Sequence, residues 1–206
     1  MGRPQPPTMR KRGTPCEPPI PANHSHCGGS HYTSSCKCSL EWSMEIELVS
    51  DAPGSFSQDE QHRFRVLVEA GGEVDTVVLR RNVQSAKSLV FARSGGRLLG
   101  VAALKVPQPS YRKKIAQSSG FSLQSDLYPF ELGYIFVHEA ARGKGLAHRL
   151  VAGAVDQVRG TKVFATVRAD NLAMLRTLHR AAFLHVGEEY PGRNKGTTIR
   201  LLVRNS

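Results

Sequence analysis

Glu131-Leu132-Gly133-Tyr134-Ile135-Phe136-Val137, followed after four residues by Arg142-Gly143-Lys144-Gly145-Leu146-Ala147, is the stretch of this sequence that decides its fold. The first seven residues read as a strand that is apolar on both faces, as expected of a central strand covered on each side. Beyond the second run, Ala147, Leu150, Val151, Ala154, Val155 and Val158 recur at helical spacing and give one core stripe. A glycine turn therefore joins a central strand to the N-terminus of an amphipathic helix. Such a turn aims unpaired amides and the positive end of the helix dipole outward, which suits phosphate oxygens. Gly143 and Gly145 carry no side chain to block approach, and Arg142 and Lys144 add positive charge. Taken alone, a turn of this kind also serves as a plain strand-to-helix connection.

Working outward, Lys162 to Val167 reads as a strand, Asn171 to Ala182 as a helix, and Leu184 to Glu188 and Thr197 to Val203 as the last two strands. Upstream, Met44 to Ser50 reads as the first strand. A helix follows in which Phe56 and Ser57 lead into Phe64, Leu67 and Val68, stopped by Gly71-Gly72. A second short helix spans Val74 to Val83, with Val74, Val77, Val78 and Arg81 at helical spacing. Ser88 to Ala92 and Leu98 to Leu104 read as a hairpin through Ser94-Gly95-Gly96. The segment from Pro107 to Phe130 reads as a long loop, of a length more often functional than idle.

The order of strand, RxxGxA loop, amphipathic helix, strand, and Asn171 opening a helix that ends at Ala182-Phe183 resembles the acetyl-CoA-binding core of the GNAT superfamily of N-acetyltransferases. The resemblance is specific over Glu131 to Phe183, and the order of elements agrees from Met44 to Val203. It implies an α/β (α+β) fold with a mixed, mostly antiparallel sheet of about six to seven strands flanked by about four helices. It further implies acetyl-CoA as cofactor, with the pantetheine arm on the backbone of Ile135, Phe136 and Val137. The pyrophosphate falls to Arg142, Gly143, Lys144, Gly145, Leu146 and Ala147, and Asn171 contacts the cofactor at its helix start, where it also makes an ordinary N-cap.

Acetyl transfer from a thioester to an amine needs the amine deprotonated. In the lysine-directed members that this sequence resembles, a glutamate at the spacing of Glu131 from Arg142 is the general base. A glutamate that merely solvates a strand end is the plainer alternative. The family's tyrosine that reprotonates the thiolate falls here on Leu178, so the acid must be sought elsewhere, among Tyr134, His179, Tyr190 or water, with Tyr134 taken as the catalytic candidate.

Residues 1–43 are rich in Pro, Gly, Ser and His without apolar periodicity, and are expected to be a disordered extension preceding a domain over 44–206. Met44 is a candidate natural start. All four cysteines, Cys16, Cys27, Cys36 and Cys38, lie in that extension among His24, His26 and His31, without a CxxC pair, so no metal site is expected. Neither a membrane-length apolar run nor a secretory h-region is seen, which predicts a cytoplasmic protein with no membrane role. The net charge of +11 divides as five Lys/Arg against two Asp/Glu before residue 44 and 23 against 15 after it. Such a surface suits acidic partners generally. The partner implied is an amine acceptor of unspecified identity. The competing readings are a nucleic-acid-binding module using Arg112, Lys113, Lys114, Arg193 and Lys195, and a non-catalytic CoA-binding module. A homodimer is left open.

Overall fold

The structure is a computed structural model that describes residues 45–72 and 74–205; the expectations for residues 1–43 lie outside the described residues. Seven strands form one sheet: β1 (Glu47–Asp51), β2 (Ser88–Ser94), β3 (Arg97–Lys105), β4 (Phe130–Val137), β5 (Val163–Arg168), β6 (Leu184–Pro191) and β7 (Thr198–Arg204). Their order across the sheet is β1-β2-β3-β4-β5-β7-β6. All neighbours are antiparallel except β4 and β5, which run parallel. That mixed, mostly antiparallel sheet is the one expected.

Five α-helices pack on it: α1 (Gln58–Ala70), α2 (Thr76–Gln84), α3 (Pro109–Ser119), α4 (Leu146–Asp156) and α5 (Leu172–Arg180). Helix α1 starts at a capping box in which the Ser57 hydroxyl accepts from the Glu60 amide and the Glu60 carboxylate accepts from the Ser57 amide. Of the stripe read from the sequence, Leu150, Val151, Ala154 and Val155 are buried on α4 and Val158 is buried just past its end, whereas Ala147 is half-buried and Leu146 is the buried residue of the first turn.

Two readings are corrected. The segment after Pro107 is not a bare loop but carries α3, begun by Pro109 in the first helical turn and closed by Gly120 in the left-handed conformation. Its buried positions are Arg112, Ile115 and Ser119, so polar residues occupy the inner face and the apolar period is masked. In α2 the buried residues are Leu79 and Val83, whereas Val77 is 79% exposed. Of the stripe Val74, Val77, Val78 and Arg81, the last three are exposed, because this helix offers apolar residues in two phases, while Val74 precedes the helix and packs against the inner cluster.

Alternation along the strands sorts the core by sheet face. Val90, Ala92, Ala102, Leu104, Leu132, Val163 and Ala165 point toward α4 and α5. On the opposite face, Leu89, Phe91, Val101 and Ala103 meet α1 and α2, and Phe164, Leu201 and Val203 meet Ile115 of α3. Lys105 and Glu131 lie on that opposite face in direct cross-strand register, with Phe164 next in line. The charged pair thus sits in the gap between two apolar clusters.

Candidate active site

Strand β4 changes character part-way along. Its parallel pairing with β5 covers only Phe130 to Leu132, opposite Val163 to Ala165. Beyond that point β4 continues to Val137 and β5 to Arg168 while the two separate. A cleft of about 230 Å³ opens between them, lined by Gly133, Tyr134, Ile135, Thr166, Asn171 and Leu178 among others. The separation coincides with a bulge: Val101 pairs with Phe136 and Ala103 with Gly133, so two β4 residues, Tyr134 and Ile135, face the single Ala102. Tyr134 absorbs it with a positive φ of 53°.

At the far end of the cleft, Gly143 and Gly145 have φ of 76° and 74°, a region that disfavours residues with a Cβ. A Cβ at either position would meet no protein atom within 4 Å, so both face open space. Gly145 is the N-cap of α4, whose first amides have no intrahelical acceptor. The Arg142 side chain folds back and its Nε donates to the Val137 carbonyl at 3.1 Å, tying the loop to the strand end. Of the strand residues proposed for pantetheine, Ile135 lines the cleft, while Phe136 packs toward the α1 and α2 cluster and Val137 toward α4. Asn171 caps α5, its Oδ1 accepting from the Met174 amide at 3.1 Å.

The other end of β4 holds Glu131, only 1% exposed. Its Oε2 pairs with the Lys105 ammonium at 2.8 Å. Its Oε1 accepts from the Thr166 hydroxyl at 2.9 Å and the Tyr111 hydroxyl at 3.1 Å. Three donors on a carboxylate with about four acceptor positions leave one for an amine or a water. Gly133 makes room for this arrangement, since a Cβ there would lie 2.8 Å from Cε of Lys105. The Lys105 ammonium also sits 4.8 Å from the ring centroid of Tyr134 and 5.8 Å from that of Tyr111.

Tyr134 forms part of the boundary between this site and the cleft. Its phenol oxygen accepts from Asn82 Nδ2 at 2.8 Å, leaving the phenol proton to be donated elsewhere. Burial holds this phenol above its ordinary range, against the opposing pull of the Lys105 charge. Tyr111 is also pushed well up, first by burial of its hydroxyl and then by the Glu131 charge, although the residue as a whole is 40% exposed. Both phenols therefore stay protonated at neutral pH. Tyr190 is raised too, first by burial and then by Glu131.

Glu131 opens into a cavity of about 390 Å³ whose walls come from Val74, Asp75, Val78, Arg81 and Asn82, from Gln108, Ser110 and Tyr111, and from Arg193. Arg193 reaches Asp75 at 3.5 Å and links the turn between β6 and β7 to the start of α2. Leu178, where the sequence lacks the tyrosine of the resembled family, is buried on the cleft wall, and His179 is exposed. Arg112, one of the basic residues considered for nucleic acid, is buried and spent on the Tyr128 and Pro129 carbonyls at 2.6 and 3.2 Å, under the Phe164 ring. It is withdrawn from any phosphate-binding role. Sequence reading missed Lys105, Tyr111 and Thr166, which lie far from Glu131 along the chain and meet it through strand register and the hidden α3, and Asn82, which reaches Tyr134 from α2. Among the described residues, no group of three or more His, Cys, Asp or Glu stands where it could hold a metal ion. No described helix is long and apolar enough to cross a membrane.

The model of the acetyltransferase (GNAT) family matches residues 55–183. The chain belongs to the GNAT family of acetyltransferases. Acetyl-CoA is the cofactor of that family. The GNAT chain is 32% identical over 98 residues to the N-alpha-acetyltransferase RimI of Mycobacterium tuberculosis, a match covering 48% of this chain and 52% of that protein. It thus spans about half the length of that curated relative. Solved structures of the same fold include Escherichia coli ElaA (TM-score 0.55, 15% identity, covering 78% of this chain and 99% of that one). A GNAT acetyltransferase from Streptococcus agalactiae gives a TM-score of 0.57 at 14% identity, covering 78% and 95%. YncA of Salmonella typhimurium, described as a putative acetyltransferase solved with acetyl-CoA, gives 0.55 at 14% identity, covering 78% and 93%. These identities establish a shared fold.

Proposed function

We propose that this GNAT chain transfers the acetyl group of acetyl-CoA directly to a primary amine, with Glu131 as general base. The observation that carries the reading is a buried carboxylate close to the point where β4 and β5 part, beside a cavity open to an acceptor. The residues fit acetyl-CoA on their own geometry. The cleft is lined by β4 from Gly133 to Ile135, beyond the end of its pairing with β5, which leaves a strand edge for an extended arm, and the glycine loop with the α4 amides faces open space where a pyrophosphate would sit. Arg142, Lys144 and Asn171 border the same path. When bound there, acetyl-CoA supplies an activated thioester.

The chain's own residues then hold and move protons. Lys105, Thr166 and Tyr111 fix the carboxylate, and its remaining acceptor position faces the cavity for the amine or a relaying water. Tyr134, oriented by Asn82 and lining both cavity and cleft, is the proton donor for the departing thiolate, in place of the tyrosine that Leu178 replaces. The similarity to an N-alpha-acetyltransferase supports a peptide α-amine as one form of the acceptor.

The test is Glu131→Gln, assayed by thiol release with acetyl-CoA and an amine panel. A positioned base contributes about a hundredfold to ten-thousandfold, so kcat falls by that factor, least at high pH where free amine accumulates. A variant that keeps most of its kcat near neutral pH shows that Glu131 is only a structural partner of Lys105.

A further inference from the structure

The cavity above Glu131 is lined by three cations, Arg81, Lys105 and Arg193, and two anions, Asp75 and Glu131. Four of these five charges cancel in pairs. Lys105 is bound to Glu131 at 2.8 Å and Arg193 to Asp75 at 3.5 Å. Asp75 is further committed, since its Oδ1 accepts from the Val77 and Val78 amides at the start of α2. The Arg81 carbonyl accepts from Ser85 at the end of α2, but its guanidinium has no ion-pair or hydrogen-bond partner among the described residues. It follows Arg80 on the exposed side of α2 and precedes Asn82, whose side chain holds the Tyr134 phenol, so its guanidinium belongs to the same wall as the proposed acid. Its charge reaches that phenol: burial raises Tyr134, and Lys105 and, more weakly, Arg81 pull against it.

From this balance we infer that the acceptor is an amine bearing an anionic group a few bonds from its nitrogen, with the anion on Arg81 and the nitrogen on Glu131. An N-terminal acidic residue is its simplest peptide form. The inference rests on the acetyltransferase reading and names the substrate class for that same cavity. Three physical consequences support it. An anion neutralises the one uncompensated charge of the wall, and a guanidinium takes a carboxylate or phosphate by two parallel hydrogen bonds. A positive wall also favours the neutral form of the incoming amine, the form that attacks. A polycationic amine meets the opposite situation, because Asp75 is paired with Arg193 and the one acceptor position left on Glu131 takes the reacting nitrogen, so its remaining ammonium groups face Arg81.

The experiment uses the full chain and three tripeptide amides, Glu-Ala-Ala, Gln-Ala-Ala and Lys-Ala-Ala, with acetyl-CoA. Turnover is read by thiol release, and binding is read separately by calorimetry in the presence of CoA. A charge-assisted contact of ordinary strength gives the glutamyl peptide an advantage of about tenfold or more over the glutaminyl one, narrowing as salt rises. Arg81→Ala brings that ratio toward one, and Arg81→Glu shifts preference to the lysyl peptide. Arg81 is exposed, and unchanged melting temperatures confirm that each variant is folded. Equal kcat/KM for the glutamyl and glutaminyl peptides, or a ratio that survives Arg81→Ala, overturns the inference while leaving the acetyltransferase reading intact. If no amine is acetylated, that reading fails, and calorimetry still decides this one. Glutamyl-selective binding that is lost in Arg81→Ala supports it, and indifferent binding refutes it.

Discussion

The two ends of β4 are built from different materials. Toward Val137 the surface proposed for acetyl-CoA is mostly backbone: a strand edge released by a bulge, two glycines with positive φ, and the first amides of α4. Toward Glu131 the surface proposed for the acceptor is all side chain, with a carboxylate held by Lys105, Thr166 and Tyr111 from three other elements. Backbone sites tolerate almost any side chain nearby but depend on the few positions that must be glycine. Side-chain sites depend on every partner. Substitutions at the two ends should therefore fail in different ways.

The sharpest loss is expected at the backbone end. Gly145→Arg adds a side chain to the open space above the α4 amides and a residue with a Cβ to a left-handed position. Acetyl-CoA binding by calorimetry should disappear, while the melting temperature drops only by the equivalent of about 1–2 kcal/mol. Unchanged affinity would remove the loop from the cofactor site. At the side-chain end, Lys105→Met should leave the Glu131 carboxylate buried without its cation. Breaking a buried pair from one side costs about 3–5 kcal/mol, visible in chemical denaturation, and turnover should fall with it. If stability is unaffected, the pair contributes no net stabilisation and the carboxylate is better solvated than its burial indicates.

Tyr134→Phe should have a smaller and more selective effect. It removes the proton proposed for the thiolate and leaves Asn82 without its acceptor, so kcat should fall by about tenfold to a hundredfold with little change in acetyl-CoA affinity. An unaltered kcat would pass the acid role to Tyr111 or to water. The smallest effect is expected at the rim, where Arg193→Ala opens the link to Asp75. Exposed pairs of this kind contribute at most about 1 kcal/mol, so stability should scarcely move while KM for the acceptor changes.

The same contrast explains what the sequence disclosed. Backbone sites leave marks in the chain, because Gly143, Gly145 and the stripe from Leu150 to Val158 are local and periodic. The central strand was legible for the same reason. Helix α3 was not, since prolines at 107 and 109 read as loop and Arg112 and Ser119 take inner positions that a period search expects to be apolar. With α3 hidden, the pairing of β3 with β4 was hidden too, and with it the register that sets Lys105 against Glu131. Tyr111 and Thr166 lie 20 residues before and 35 residues after their carboxylate, beyond any local motif. The face of α2 was misread because Val77 and Val78 compete with Leu79 and Val83 for the same period, and only packing against Phe64 and Phe91 decides.

The separation of the two ends is the central claim, and acetyl-CoA titrated into Glu131→Gln tests it most directly, with kcat measured on the same preparation. The account predicts a dissociation constant within about twofold of wild type beside a kcat reduced by at least about a hundredfold. A variant whose affinity for acetyl-CoA falls in step with its turnover, at an unchanged melting temperature, would contradict it.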